Sequence, residues 1–167
     1  MGPLCNADTL ARVKRHVEDA RAKGAKIEQF GKEEGLYYPA TILTGVTTDM
    51  EIMREETFGP VAPIYKLKSA EEAIEIAHLS GLGLIASLWT QDLATAWRVG
   101  EALPHGTVNI NETSNYWDQL APFGGTGLSG VGRELSQWFL ETFTERKLLV
   151  FDLGGNLRYD RRAEGGW

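Results

Sequence analysis

Apolar residues recur at helical spacing from the start of the chain. Leu10, Val13, Val17 and Ala20 form one stripe of residues 8–23, which predicts an amphipathic helix with that stripe turned to a core. Asp8 is placed to accept from the unpaired N–H groups of the first turn, and Gly24 to end the helix. Residues 25–30 predict a short strand and residues 31–35 a polar turn. Residues 36–46 read as extended, and Pro39, which has no N–H to give a ladder, argues against a central place in a sheet. Met50, Ile52 and Met53 predict a short helix.

From Pro60 the pattern becomes regular. Strands over residues 61–67, 84–89 and 107–111 alternate with helices over 69–79 and 92–103, a βαβαβ order. Ser69 and Glu72 form an S-x-x-E capping box, with Ala73, Ile74 and Ala77 as the apolar face; Leu93, Ala96, Trp97 and Gly100 supply the face of the second helix. Strands joined by single helices imply a mostly parallel sheet with right-handed crossovers, an α/β fold. Residues 112–132 show little periodicity, are rich in Gly, Ser and Thr, and carry Tyr116, Trp117 and Phe123. A loop of that length in a compact domain is usually functional or disordered. A helix over residues 133–143, buried through Leu135, Trp138 and Phe139, and a strand over 147–153 close the pattern, and residues 154–167 read as a mobile tail. No repeat or interior linker divides the chain, so one domain is expected.

Composition narrows the function classes. At 167 residues the chain can bury roughly 70% of its unfolded surface. Its 43% hydrophobic and 24% charged residues are ordinary globular values. The formal charge of -6 leaves no basic stripe for a phosphate backbone, so nucleic acid is not an expected partner. Arg12, Lys14 and Arg15 sit among Glu18 and Asp19 and read as a solvated helix face. No apolar run approaches a membrane span, no signal peptide or lipidation motif is present, and a single cysteine cannot close an internal disulfide; a reducing cytoplasm is expected.

Taken one at a time, the candidate motifs are weak. Gly125, Gly127 and Gly130 have the spacing G-x-G-x-x-G, but that motif binds a dinucleotide only where it leads from a strand straight into a helix. Here it follows a long loop and Pro122-Phe123, and a glycine-rich crossing of backbones is the expected role. Cys5 has no neighbour that would make it a nucleophile, and His16, His78 and His105 are too scattered for a metal motif, so no metal site is expected. Glu55 and Glu56 are adjacent, so on extended backbone at most one faces a site.

The ordered set is more specific. Glu55-Glu56-Thr57-Phe58-Gly59-Pro60-Val61, Gly83-Leu84-Ile85-Ala86-Ser87-Leu88-Trp89-Thr90, Val108-Asn109-Ile110-Asn111, Pro122-Phe123-Gly124-Gly125 and Ser129-Gly130-Val131-Gly132-Arg133-Glu134 follow one another at characteristic distances. Tyr38-Pro39-Ala40-Thr41-Ile42-Leu43 precedes them and Thr144-Glu145-Arg146-Lys147 follows. In this order and spacing the chain resembles the aldehyde dehydrogenase superfamily over about residues 2–153, specifically the C-terminal part of its catalytic domain. The resemblance implies a three-layer αβα fold over residues 1–153, with the tail beyond it. It also implies chemistry in which a cysteine thiolate adds to an aldehyde as a thiohemiacetal, hydride passes to NAD or NADP, and a glutamate-activated water releases the carboxylic acid. Glu56 is then expected to accept from the nicotinamide ribose hydroxyls, Phe58 to pack near the nicotinamide, Phe123 to line the aldehyde pocket, and residues 112–116, with Glu112 and Tyr116, to shape its mouth.

The family's G-Q-x-C nucleophile segment, its glutamate base and its nucleotide-binding domain are not in this chain, and Cys5 stands in a Gly-Pro-Leu stretch that resembles a different part of the family. No catalytic residue is therefore assigned, the isolated chain is expected to be inactive and to hold no cofactor alone, and the aldehyde is not identified by the loop around Tyr116-Trp117-Asp118. The alternative is a stand-alone interaction module that binds full-length relatives. Unaided dinucleotide binding is disfavoured, because the phosphate-binding half is missing. The apolar run Leu148, Leu149, Val150 and Phe151 implies a strand that pairs between subunits, hence a homo-oligomer through residues 147–153.

Overall fold

A computed structural model describes residues 2–116 and 118–151. Helix α1 (Ala7–Ala22) is capped by Asn6, whose side chain accepts from the Thr9 N–H at 2.8 Å, so the cap lies two residues before the expected Asp8. Asp8 instead adds negative charge to the first turn, where the helix dipole favours it. Gly24, at φ +93°, takes the left-handed conformation that ends the helix as expected. Val13, His16, Val17 and Ala20 form its buried stripe.

That stripe and a three-stranded sheet make the core. Strand β1 (Lys26–Phe30) pairs antiparallel with β2 (Ala40–Thr44), and β2 pairs parallel with β3 (Val61–Ile64), so β2 is central. The expectation from Pro39 is overturned, because the proline lies one residue before the strand and withholds no ladder donor. Thr41 and Leu43 are buried, while the alternate residues Ile42 and Thr44 are half-buried. Leu43, Val46, Met50 and Ile52 cluster with Ala20 and Ala25, and the 3₁₀ turn Glu51–Met53 brings Ile52 in.

The βαβαβ order is present as β3, α2 (Ala70–Leu79), β5 (Ile85–Leu88), α3 (Leu93–Ala102) and β6 (Thr107–Ile110), preceded at β5 by the short β4 (Leu82–Gly83). The fold is α/β, and β5 and β6 are parallel as expected. The sheet, however, is not continuous: β3 pairs with β2, β5 with β6, and β4 with β7 (Thr126–Gly127), in three separate sheets. Pro63 explains part of the break. Thr41 donates its N–H to the Pro60 carbonyl, so along the alternating ladder the missing N–H of Pro63 falls on the β3 edge away from β2, which weakens that edge for a further strand.

Ser69 and Asp92 cap α2 and α3 by accepting from Glu72 and Thr95, as the patterning requires. The apolar face expected of α3 is not covered. Trp97 is 64% exposed, and with Leu93, Ala96 and Gly100 it borders an open cleft walled by Val108 and Ile110, while Val99 is the buried residue. Helix α4 (Ser136–Thr142) starts three residues later than expected, after Leu135 at φ +61°, and buries none of its residues; Trp138 is 62% exposed. Residues 147–151 form no strand and lie exposed, and residues 152 and 153 fall outside the described residues, as do residues 154–167, where the tail was expected. Among the described residues, Val99 is the one buried hydrophobic side chain after Ile52. Among the described residues no helix is long and apolar enough to cross a membrane.

Asp19 ties the 3₁₀ turn to α1: its carboxylate accepts from Lys23 at 2.7 Å and from the Glu51 N–H at 2.8 Å. The Lys23 hydrogen bond foremost, then the Glu51 N–H, holds the Asp19 carboxyl below the usual carboxylate range. A depressed acid contributes stability that is complete above its unfolded pKa and is lost as pH falls through the folded one, here below about pH 4. Asp19→Asn is therefore expected to lower the urea midpoint by the same amount at pH 7 and pH 5, with the gap to the native protein closing below about pH 4. A gap that stays constant down to pH 2 would refute this.

Candidate functional site between helix α1 and the glycine-rich crossing

The segment from Arg54 to Pro60 leaves the 3₁₀ turn and enters β3, and it lies along one face of α1. Phe58 sits at φ +50°, a conformation that costs a non-glycine residue roughly 1–3 kcal/mol and persists only where its surroundings hold it. Here α1 holds it. A Cβ on Gly59 would lie 2.4 Å from Val13 Cγ2, so the Gly59 backbone packs directly on the helix. Arg12 donates through Nε to the Thr57 carbonyl at 3.3 Å and stands 5.7 Å above the Phe58 ring.

Both carboxylates of this segment border one cleft, and they differ in their partners. Glu55 turns back to α1, where its Oε2 accepts from Arg15 at 2.5 Å and lies 3.2 Å from His16 Nε2; Arg15 also donates to Glu51 at 2.7 Å. His16, fully buried, places its other ring nitrogen 3.0 Å from the Thr57 hydroxyl. Among the described residues nothing hydrogen-bonds the Glu56 carboxylate, which is exposed on the wall of a cleft of about 290 Å³. Phe58, 69% exposed, lines the same cleft, opposite Leu82 and Leu128.

Arg12 and Arg15, read from sequence as a solvated face, thus reach across to the site, and His16 was not assigned to it. The available signal was positional: His16 falls on the stripe of Val13, Val17 and Ala20, and a histidine on a buried stripe needs a polar partner. The donor atoms of His16, Glu51 and Glu55 lie within 4.8 Å of one another, the spacing of a metal-ligand set. The Arg15 guanidinium already bonds both carboxylates, so the negative charge that would draw a cation is compensated in place.

The far wall is the glycine-rich crossing. Gly83 donates its N–H to the Ser129 hydroxyl at 2.9 Å, Thr126 donates its hydroxyl to the Pro104 carbonyl at 2.6 Å, and Arg133 spans the carbonyls of Gly125 and Gly132. A Cβ on Gly83 would lie 2.1 Å from the Pro104 carbonyl oxygen. Side-chain-free backbone at Gly83 is what lets β4, β7 and the turn before β6 meet, as a crossing loop requires. Residues 125–130 run from the Phe123 bridge into β7 and a turn, with α4 beginning only at Ser136, so they do not form the strand-to-helix phosphate turn.

Phe123 is half-buried, pairs by backbone with Glu134, and lines a second cleft of about 350 Å³ with Leu84, Val131 and Phe139. The β4–β7 pair stands between the two clefts, Leu82 and Leu128 facing the first, Leu84 and Ser129 the second. Glu112 and Tyr116 line neither; both are exposed, on a loop held by Asn109, whose Nδ2 donates to the carbonyls of Thr113 at 2.7 Å and Tyr116 at 3.1 Å. The structure therefore brings Glu56 and Phe58 together and keeps Phe123 and the 112–116 loop apart from them.

Known proteins share this sequence and this fold. The aldehyde dehydrogenase family, taken as a sequence model, matches residues 1–149. The mitochondrial succinate-semialdehyde dehydrogenase of Oryza sativa subsp. japonica is 40% identical over 159 residues, covering 93% of this chain and 29% of its own length. The NADP(+) succinate-semialdehyde dehydrogenase of Escherichia coli K12 is 38% identical over 156 residues, covering 92% of this chain and 32% of its own. A crystal structure of aldehyde dehydrogenase from Brucella melitensis biovar abortus 2308 superimposes with a TM-score of 0.82 at 44% identity, over 87% of this chain and 30% of that one. The chain spans about a third of the length of these relatives. With a family match over nine-tenths of its residues and a shared fold at this level of identity, the chain belongs to the aldehyde dehydrogenase family.

Proposed function

We propose that residues 1–153 are the C-terminal part of the catalytic domain of an NAD(P)-dependent aldehyde dehydrogenase, and that this part supplies the nicotinamide-side contacts of the site. The observation that carries this reading is the shared cleft of Glu56 and Phe58, one offering an uncommitted carboxylate and the other an exposed ring. A carboxylate suits the ribose because it accepts from two vicinal hydroxyls at once. The Phe58 ring offers an apolar surface for the nicotinamide. Bound NAD(P)+ would supply the hydride acceptor and Glu56 would hold its ribose; Phe123 would line the aldehyde pocket from the second cleft, while Glu112 and Tyr116, which border neither cleft, would stand at its mouth. The nucleophile and the base come from outside this chain, and succinate semialdehyde, the substrate named for two of the relatives, is the first aldehyde to assay.

A second reading, an interaction module that binds a full-length relative, is favoured by the apolar surface after residue 54. There Trp97, Trp138, Leu148 and Val150 are more than half exposed. Exposed apolar surface on that scale marks a face that something covers. The same surface is required if residues 1–153 pack against the remainder of a longer chain. A reducing compartment such as the cytoplasm suits the exposed, unpaired Cys5 thiol.

The isolated chain is expected to show no turnover of succinate semialdehyde with NAD+ or NADP+, because a thiolate and its base act as a set. Turnover above background that Cys5→Ala abolishes would overturn this and make Cys5 the nucleophile. In an enzyme assembled by joining this chain behind the first two thirds of a relative, Glu56→Gln is expected to lower kcat/KM for the cofactor by about 10-fold or more with an unchanged melting temperature. Unchanged kinetics would make Glu56 surface charge. The exposed run from Leu148 to Phe151 is expected to drive self-association of the isolated chain, and Val150→Lys to return it to a monomer in sedimentation. A monomeric native chain at micromolar concentration would refute pairing through this run.

A further inference from the structure

Resting on the reading of Glu56 and Phe58 given above, the geometry points to α1 as the positioning element of the cofactor-side segment, with Arg12 and His16 as its positioning residues. His16 is fully buried and is not expected to touch cofactor or substrate, while Arg12 also borders the cleft; both act through the backbone and side chains of Glu55, Thr57 and Phe58. Three contacts of different kinds converge. Arg12 binds the Thr57 carbonyl and faces the Phe58 ring, His16 reaches the Thr57 hydroxyl with one ring nitrogen and Glu55 with the other, and the Gly59 backbone lies on Val13. Arg12, Val13 and His16 are at positions i, i+1 and i+4 and share one face of a helix that the core fixes through Val17 and Ala20.

The arrangement explains a division of labour that the segment needs. Glu55 and Glu56 are adjacent carboxylates. His16 and Arg15 engage the Glu55 carboxylate, so of the two carboxylates that border the cleft Glu56 is the one left without a partner among the described residues. Phe58 at φ +50° is likewise a conformation that the free segment would leave, and the Arg12 contacts on either side of its Cα oppose that. Substrate and cofactor groups must be held within a fraction of an ångström for productive geometry, and residues behind the contacting side chain do that holding.

Two variants separate positioning from packing. His16→Phe keeps an aromatic volume in the buried stripe and removes the ring-nitrogen contacts to Thr57, Glu55 and Arg15; Arg12→Leu changes a half-exposed position and leaves the core intact. In the isolated chain, 15N order parameters of Phe58 and Gly59 are expected to fall in both variants from about 0.85 towards about 0.6, while those of β2 hold. In the assembled full-length enzyme, both variants are expected to raise KM for NAD(P)+ by about 5-fold or more with a smaller change in kcat. His16→Gln, which can still bond on two sides, is expected to recover most of that loss. Glu56→Gln is measured beside them. If Glu56→Gln impairs the cofactor KM and the α1 variants do not, the positioning role is overturned and the cofactor reading stands. If Glu56→Gln has no effect, the cofactor reading falls and the positioning role with it. Order parameters that fall equally across β2 and the 55–59 segment would show loss of packing alone and also overturn the proposal.

Discussion

Val13, His16, Val17 and Ala20 leave solvent together because they share one stripe of α1; Ala20 clusters with Leu43 of β2, and Val13 lies against the Gly59 backbone. Much of the rest follows from that seating. It fixes where Asp19 meets the Glu51 N–H, so where the 3₁₀ turn lies, and so where the chain enters the segment from Arg54 to Pro60. One buried histidine makes the seating polar as well as apolar, since its two ring nitrogens have to be met by Thr57 and Glu55. Packing and polar satisfaction thereby select the same placement.

The two parts of the chain are built to different standards of burial. Up to Ile52 the apolar residues find one another; beyond it Val99 is the one large apolar side chain buried among the described residues, and sheets of two strands leave their edges open. Pro63 on the outer edge of β3 and the uncovered Trp97 face of α3 belong to the same condition. The later residues are held largely by backbone contact, as at the glycine-rich crossing, where Gly83 approaches Pro104 too closely for any side chain. The chain spans about a third of its relatives' length, and much of its apolar surface after Ile52 is open.

Local signals served well where the forces are local. The cap at Ser69, the stop at Gly24, the parallel pair β5 and β6 and the order of helices and strands all depend on local patterning. They failed where the outcome depends on a distant neighbour. Hydrophobic periodicity marked Leu93 and Trp97 in α3, Trp138 in α4 and the run from Leu148 to Phe151 as covered, yet periodicity records only which residues would be buried together if something lay against them. Pro39 misled for the opposite reason: one residue of displacement moved it out of the ladder and left β2 central.

Family membership, the α/β class and the identity of Glu56 and Phe58 as a candidate pair were legible in the linear sequence, because ordered motifs and short-range spacing survive without coordinates. Which carboxylate of the Glu55 and Glu56 pair stays uncommitted was not set by alternation, since both border the cleft. The choice itself was made by Arg15 and His16, about 40 residues away, whose side chains compete for Glu55. The separation of the Phe123 cleft from the Glu56 cleft, and the recruitment of Arg12 from a solvated face to the Phe58 ring, were likewise decided by how α1, β4 and β7 pack. Short-range chemistry is written in neighbouring letters; which groups share a cleft is set by packing between segments far apart in sequence, which no window of neighbouring residues contains.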